Sequence, residues 1–301
     1  MPLDETIELV CVTDANYAPH FSALLKSVEA QKGEEHLRVH AILDSVDSDL
    51  LAQIQAASPT LEIIGYHVDS HPALNLPPIM HISRATYLRL IMTEFLPPEI
   101  ERVLYLDIDM LVTRNLLPLW RKDFGGSPVA AVPDHNLSAK KLANSFGLIG
   151  EGEYFNAGML LIDLNAERAN GYLKKALDYL IADPSVYEFA DQDALNQVLW
   201  QNWTVLESTW NFQRAFVNDN NLYRDACSDQ RNLPGIIHFT ERWKPWKTDE
   251  WHPYAWLYWK YLSKTPFFHE VRERDSIGYL RLLKFWLKYQ LAIIRSRVSA
   301  L

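Results

Sequence analysis

Apolar and polar positions in the first hundred or so residues follow two alternating patterns. Continuous apolar runs bounded by polar residues are typical of buried strands, whereas apolar positions spaced three and four residues apart are typical of helices. Pro19 and Gly33 stand where the first helix should begin and end. The patterns predict strands over 7–13, 37–43, 61–68 and 102–106, and helices over 19–33, 48–57 and 83–95. This alternation indicates an α/β fold whose mostly parallel sheet carries helices on both faces.

The same patterns continue through the rest of the chain. They predict strands over 129–132, 156–164 and 235–240, and helices over 166–181 and 191–200. Ligands of parallel sheets lie beyond the carboxyl ends of the strands, where Asp14, Asp107 and Asp109 fall. The aromatic-rich tract 243–268 is predicted to be irregular to helical.

Composition and charge narrow the class of protein. The 301 residues are 48% hydrophobic and 22% charged, as in an ordinary globular enzyme, and the formal net charge of -9 argues against a nucleic-acid binder. Cys11 and Cys227 have no metal-ligand spacing and suit a reducing compartment. The acidic N-terminus is unlike a signal peptide, and no apolar run approaches the roughly 20 residues of a spanning helix. We therefore expect a cytoplasmic protein, at most peripheral to a membrane.

Asp107 and Asp109, after the predicted strand 102–106, are the first candidates for chemistry. Alternate side chains of a strand share a face, so both carboxylates are expected to point the same way and to hold a divalent cation. His238 is the candidate third ligand, and two carboxylates with one imidazole favour Mn²⁺ over Mg²⁺ or Ca²⁺. A histidine on an apolar strand is otherwise more often a core residue. Lys244 could hold a diphosphate, although a lone surface lysine usually has no such role.

Six segments together resemble the retaining glycosyltransferases of family 8, which include glycogenin and bacterial lipopolysaccharide α-galactosyltransferases. They occur in the family's order and spacing across roughly residues 7–250. The segments are 12–17 (VTDANY), 81–90 (HISRATYLRL), 103–109 (VLYLDID), 154–158 (YFNAG), 191–193 (DQD) and 238–246 (HFTERWKPW). The resemblance implies a GT-A fold, in which a Rossmann-like sheet binds a nucleotide-sugar.

The resemblance also implies which residues bind the nucleotide and the metal. Asp14 and Asn16 match positions that contact the nucleotide, although both could simply cap a helix. The two aspartates after the strand 102–106 and the late histidine match the family's metal ligands. Lys244 is placed beside the diphosphate.

The donor sugar is expected against a second group of residues. Arg89 matches a residue that reaches the sugar-nucleotide, Asp134 matches a carboxylate that bonds sugar hydroxyls, and Asn156 matches an amide beside the sugar. Asp191 and Gln192 resemble the pair beneath the anomeric carbon. The alternatives are ordinary structural roles, namely a surface arginine, turn residues and a helix N-cap.

One position departs from the family pattern. Where the family has a glycine three residues after the metal histidine, this chain has Glu241, and a carboxylate there would repel a diphosphate unless it points away. This departure leaves open a sugar-nucleotide-binding or scaffold protein that has lost catalysis. A phosphatase of the haloacid-dehalogenase type is disfavoured, because the chain has no Asp-Asp dipeptide for its later metal motif.

The implied activity is transfer of a hexose, galactose or glucose, from a UDP-sugar to a saccharide acceptor with retention, as in the synthesis of lipopolysaccharide or another cell-surface glycan. Mn²⁺ is the expected cofactor and Mg²⁺ the alternative. Gln192 stands where a retaining glycosidase carries its nucleophile, and an amide oxygen is a poor nucleophile. We therefore favour same-face attack, in which the leaving diphosphate takes the acceptor's proton, over double displacement through Asp191.

A basic amphipathic helix is predicted over 279–295. One face carries Arg281, Lys284, Lys288 and Arg295, and the other carries Leu283, Trp286, Leu287, Leu291 and Ile294. Such a helix could lie on an anionic membrane surface or pack on the catalytic domain, and both interpretations stay open. We expect residues 1–255 to form the catalytic domain and 256–301 a C-terminal extension.

Overall fold

A computed structural model describes residues 5–68, 84–218, 233–240, 244–247 and 252–298 of the chain. Its strands are β1 Thr6–Asp14, β2 His36–Asp44, β3 Glu62–His67, β4 Arg102–Leu106, β5 Met110–Val112, β6 Val129–Pro133, β7 Phe155–Asp163, β8 Thr204–Val205 and β9 Ile236–His238. Its helices are α1 Ala18–Gln31, α2 Ser48–Ala57, α3 Arg84–Leu90, α4 Leu117–Trp120, α5 Ala139–Phe146, α6 Leu164–Asn170, α7 Tyr172–Ala182, α8 Ala190–Val198, α9 Arg214–Asn218, α10 Ala255–Leu262, α11 Phe268–Arg274 and α12 Tyr279–Val298.

Seven strands form one sheet in the order β3-β2-β1-β4-β7-β6-β8, and β5 pairs with β9 in a separate two-stranded sheet. The strands β1 to β4 run parallel, β7 is antiparallel to its neighbours β4 and β6, and β8 is parallel to β6. The sheet separates two hydrophobic clusters, one shared with α1 and the C-terminal helices and the other with α3, α7 and α8. The predicted α/β class with a mostly parallel sheet is confirmed.

Three predicted elements differ in detail from the structure. The α-helix predicted over 83–95 ends at Leu90, and a 3₁₀ turn follows over Met92–Glu94. The helix predicted over 166–181 is two helices, because Gly171 adopts the left-handed backbone conformation at φ 64° and ends α6 before α7 begins. The strand predicted over 235–240 is the three-residue β9, which pairs with β5 and does not join the main sheet.

The C-terminal helices belong to the same hydrophobic cluster as α1. Tyr258 and Trp259 of α10 and Val271 of α11 are almost completely buried in it. These contacts lie on the C-terminal side of the predicted boundary at residue 255, which stays a prediction. None of the described helices combines the length and apolar character needed to cross a membrane.

Helix α12 has two apolar faces, of which only one is buried. Leu282, Phe285 and Tyr289 pack into the cluster. Among the side chains of α12 that the structure describes, the exposed apolar ones are Tyr279, Leu280, Leu283, Trp286, Leu287 and Leu291. The side chains of Ile294 and Arg295, which belong to the predicted faces, lie outside that description. Most residues of the predicted apolar face are therefore exposed, and the helix packs on the domain through other apolar side chains.

Glu167 makes the stability of the fold depend on pH. This buried side chain of α6 accepts the backbone N–H of Leu173 in α7 at 3.1 and 3.2 Å. Burial outweighs these bonds and raises the pKa of Glu167 from 4.5 to about 7. Because the folded state holds the proton more tightly, this contribution to stability is complete below pH 4.5 and is lost as the pH rises through about 7.

We expect Glu167→Gln to remove this dependence, because the amide keeps an acceptor for Leu173 and does not titrate. Urea unfolding of both proteins at a series of pH values measures it. The free energy of unfolding of the wild type should fall relative to that of the variant from about pH 5 to about pH 8. Other titrations cancel in the difference, so a difference that stays constant with pH would contradict the assignment.

Candidate active site

Asp107 and Asp109 lie on the turn between β4 and β5. They follow the strand as predicted. Because β4 ends at Leu106, the turn, and not strand periodicity, sets the directions of the two carboxylates. The turn brings them together with His238, because β5 pairs with β9 in a register that sets Met110 opposite His238. Ligand atoms of the two aspartates and the histidine all lie within 4.8 Å of one another.

The donor set of this cluster fits one divalent cation. Nε2 of His238 lies 3.2 Å from Oδ1 of Asp109 and 4.0 Å from Oδ2 of Asp107. His238 is 4% exposed, and its Nδ1 lies 2.9 Å from the side-chain oxygen of Asn211. Two carboxylates and an imidazole nitrogen are ligands that suit a borderline cation such as Mn²⁺. The histidine is therefore buried, as a core residue would be, but it points at the carboxylates.

Two cationic side chains flank the cluster, and each is paired with one of its two carboxylates. Nζ of Lys244 lies 2.5 Å from Asp109, and a guanidinium nitrogen of Arg89 donates to Asp107 at 2.8 Å. Burial would raise the pKa of Asp109, but Lys244 is the strongest opposing influence, and the pKa lies well below its usual range. For Asp107 burial outweighs Arg89 and raises the pKa. Asp109 is thus the carboxylate that the site keeps ionised most firmly.

Arg89 lies between two carboxylates, with its side chain only 12% exposed. Besides bonding Asp107, its Nη1 donates to the carbonyl of Ala157 at 2.9 Å. Its Nε lies 2.8 Å from Oδ2 of Asp191, but the N–H does not point at that oxygen, so the contact is an ion pair without a hydrogen bond. Burial raises the pKa of Asp191 to about 6, against the opposing charge of Arg89.

A cavity of about 390 Å³ adjoins the cluster. The predicted site residues that line it are Asp109, Asp134, Asn156, Gln192, His238 and Lys244. Gln192 accepts the N–H of Ala157 at 2.9 Å and donates to Asp134 at 3.3 Å. Asp14, Asn16, Arg89, Asp107 and Asp191 are not among the lining residues. A larger cavity of about 730 Å³ lies near the amino ends of the strands and contains none of the predicted site residues.

Comparison with known proteins identifies the family of the chain. The family model of glycosyl transferase family 8 matches residues 8–250. The chain belongs to glycosyltransferase family 8. General stress protein A of Bacillus subtilis is 28% identical over 276 residues, which are 88% of this chain and 96% of that protein. The lipopolysaccharide 1,3-galactosyltransferase of Salmonella typhimurium is 26% identical over 265 residues, which are 85% of this chain and 77% of that enzyme.

Solved structures of the galactosyltransferase LgtC share the fold. The complex of LgtC with donor and acceptor sugar analogues is 28% identical with a TM-score of 0.74, and the match covers 86% of this chain and 96% of LgtC. The family predicted from the six segments is thereby confirmed, and so is the GT-A fold. Family and fold support a glycosyltransferase that resembles lipopolysaccharide galactosyl- and glucosyltransferases. Glu241, where the chain departs from the family pattern, lies outside the described residues.

The predicted nucleotide residues of this family 8 member lie at the end of β1, where Asp14 is the last residue of the strand and Asn16 is on the turn that follows. Asp14 accepts the backbone N–H of Tyr17 at 2.9 Å, a contact within the turn that precedes α1, and Asn16 is exposed. Tyr17, which the sequence analysis did not single out, is 39% exposed and packs edge-on against Trp246 with ring centroids 6.4 Å apart. The turn is thereby joined to the segment that carries Lys244.

Two further residues, which sequence reasoning missed, lie against the cluster of two aspartates and a histidine. Gly158 ends the matched segment 154–158, so a signal for it existed in the sequence. Asn211 ends a 3₁₀ turn, Ser208–Asn211, that falls in none of the matched segments. Its contact with His238 is visible only in the tertiary structure.

Gly158 lies against the cluster, where a side chain would collide with the ligands. A Cβ added there would stand 2.4 Å from Cε1 of His238 and 2.9 Å from Oδ2 of Asp107. We expect Gly158→Ala to displace these side chains and to weaken Mn²⁺ binding by ~10-fold or more, measured by calorimetric titration. Gly278→Ala is the matched control, because a Cβ there meets no atom within 4 Å. Equal Mn²⁺ affinities of the two variants would refute the placement.

Proposed function

We propose that this chain transfers a hexose from a UDP-sugar to a saccharide acceptor with retention at the anomeric carbon. The observation that carries the proposal is the convergence of Asp107, Asp109 and His238 beside a cavity lined by further hydrogen-bonding side chains. A diphosphate held by a cation would fit the cluster, and a sugar with several hydroxyl groups would fit the neighbouring cavity. The likeness to LgtC, solved with donor and acceptor sugar analogues, supports a sugar donor and a sugar acceptor.

We place Mn²⁺, with Mg²⁺ as the alternative, on the two aspartates and His238. When bound, the cation would supply Lewis-acid stabilisation of the negative charge that develops on the departing diphosphate. Lys244, held at Asp109, adds positive charge on the same side. Asp14 and Asn16 are proposed to contact the nucleotide, and the exposed ring of Tyr17 offers a stacking surface for the base.

Asp134, Asn156 and Gln192 are proposed to face the donor sugar, and Arg89 stays a predicted contact of the sugar-nucleotide. In the step we favour, the bond between the anomeric carbon and the diphosphate oxygen breaks as the acceptor oxygen bonds that carbon on the same face. The acceptor's proton passes to the departing diphosphate. Asp191 is buried and paired with Arg89, which supports this route over double displacement. Trapping a glycosyl adduct on Asp191 of the native enzyme would overturn this preference.

UDP release from a panel of UDP-hexoses tests the function directly. We expect release with UDP-galactose or UDP-glucose that stops when EDTA is added and returns with Mn²⁺. Asp109→Asn should bring release close to background, because it removes a charged metal ligand. Lys174→Gln, at an exposed ion pair with Asp178, is the control and should leave release unchanged. No turnover with any donor would favour the scaffold alternative.

We also propose that helix α12 holds the protein at the inner, cytoplasmic face of an anionic membrane. Its exposed apolar face includes Leu283, Leu287 and Leu291, and Lys284 and Lys288 are exposed on the same helix. Apolar area beside basic charge is the combination that binds anionic lipid surfaces. Truncation near residue 270 is a poor test, because α11 and α12 also carry buried core residues.

Replacing Leu283, Leu287 and Leu291 together by Ser tests this attachment without removing the packing face. We expect binding to vesicles that contain anionic phospholipid to fall by ~10-fold or more, measured by co-sedimentation. UDP release in solution should be unchanged. Ile149→Ser, an exposed apolar position outside α12, is the control. Vesicle binding that survives the triple substitution would rule out this attachment.

A further inference from the structure

Side-chain amides link His238 to Asp134 across the site. Nδ1 of His238 lies 2.9 Å from Oδ1 of Asn211, and Nδ2 of Asn211 donates to Oδ1 of Asn156 at 2.9 Å. Nδ2 of Asn156 then donates to Oδ2 of Asp134 at 3.0 Å. Asn211 is completely buried and Asn156 nearly so. The proposed metal half and the proposed sugar half of the site are therefore joined by one series of hydrogen bonds.

The donor-to-acceptor direction of these hydrogen bonds is set by a backbone N–H group, which can only donate. The backbone N–H of Gly158 donates to Asn156 at 3.1 Å, so the amide atom that it meets is the oxygen. The NH₂ group of Asn156 consequently faces Asp134, whose carboxylate accepts further N–H groups. The orientation of Asn156 thus follows from the chemistry at both of its ends.

Asn211 passes this direction on to the histidine. Because Asn156 offers it an oxygen, Asn211 turns its NH₂ group toward Asn156 and its carbonyl oxygen toward His238. A carbonyl oxygen only accepts, so Nδ1 of His238 must carry a proton. In the neutral ring Nε2 then has a free lone pair, and it faces the carboxylates of Asp107 and Asp109.

The backbone holds Asn211 beside the histidine. Phe212, the next residue, donates its N–H to the carbonyl of Ile236 at 2.9 Å and accepts the N–H of His238 at 3.0 Å. The turn that ends at Asn211 is therefore tied to β9 on both sides of Ile237. Asn211 and His238 cannot shift past each other along β9 without breaking these backbone hydrogen bonds.

We propose that Asn211 is a positioning residue that holds His238 in the Nδ1–H tautomer and so presents Nε2 as a ligand. This inference rests on the proposed metal site, where the neutral imidazole binds through the nitrogen that lacks the proton. In the other tautomer Nε2–H would donate to Asp109, and no lone pair would be available to a cation. Asn156 acts one step further away, by fixing the orientation of Asn211.

Two substitutions at one position separate this role from simple packing. Asn211→Leu has a similar volume but removes the acceptor for His238, whereas Asn211→Asp keeps an acceptor, loses the donation to Asn156 and adds a negative charge. We expect Mn²⁺ affinity, measured by calorimetric titration of the full chain, to fall about 10- to 100-fold in Asn211→Leu and to stay near wild type in Asn211→Asp. Asn115→Leu, whose side chain bonds Gln31 and Glu35, controls for general destabilisation.

Imidazole ¹⁵N NMR of the metal-free full chain reads the tautomer itself. The His238 signals, assigned by their loss in His238→Gln, should show a protonated Nδ1 in the wild type and in Asn211→Asp, and a population of Nε2–H in Asn211→Leu. An Nε2–H tautomer in the wild type, or an unchanged tautomer in Asn211→Leu, would overturn the proposal. Because this measurement needs no metal, a wild type that binds no Mn²⁺ would refute the metal site alone, and the tautomer would still decide the role of Asn211.

Discussion

The pairing of β5 with β9 is the constraint on which the candidate site depends. It sets Met110 opposite His238, and the turn before β5 carries Asp107 and Asp109. Side chains alternate along a strand, so a shift of the pairing by one residue would turn the imidazole away from the carboxylates. The two three-residue strands, and not the seven-stranded sheet, therefore set the positions of these side chains relative to one another. The main sheet supplies a rigid support, and the small sheet brings distant parts of the chain together.

Charge compensation is the second requirement of this site. Asp107, Asp109 and Asp191 are brought close together in a partly buried place, and burying unpaired carboxylates is costly. Arg89 is shared between Asp107 and Asp191, and Lys244 is paired with Asp109. The opposite shifts of the pKa of Asp107 and of Asp109 follow from this unequal sharing. Perturbed carboxylates beside a cavity are typical of sites that bind cations or carry out chemistry.

The C-terminal helices are connected to the same site through aromatic packing. Trp246, two residues after Lys244, stacks on His20 of α1 with ring centroids 3.8 Å apart. Burial, reinforced by Arg274 of α11, lowers the pKa of His20 to about 3, and Arg274 lies 3.2 Å from Nε2 of its neutral ring. The sequence separated a catalytic part from an extension on composition alone. Composition along the chain carries no information about which side chains stack across it, so this connection could not be predicted.

The α/β alternation and the family could be predicted from the sequence, because periodicity and motifs are properties of neighbouring residues. Six of the residues that the sequence singles out line one cavity of the structure, and their roles stay predictions: Asp109, Asp134, Asn156, Gln192, His238 and Lys244. Three features are visible only in the folded chain: Arg89 pairs with two carboxylates, Asn211 contacts the histidine, and α12 packs with one apolar face and exposes another. Each of these depends on residues far apart in the sequence, whose proximity is set by strand register and side-chain packing, and no local pattern records either.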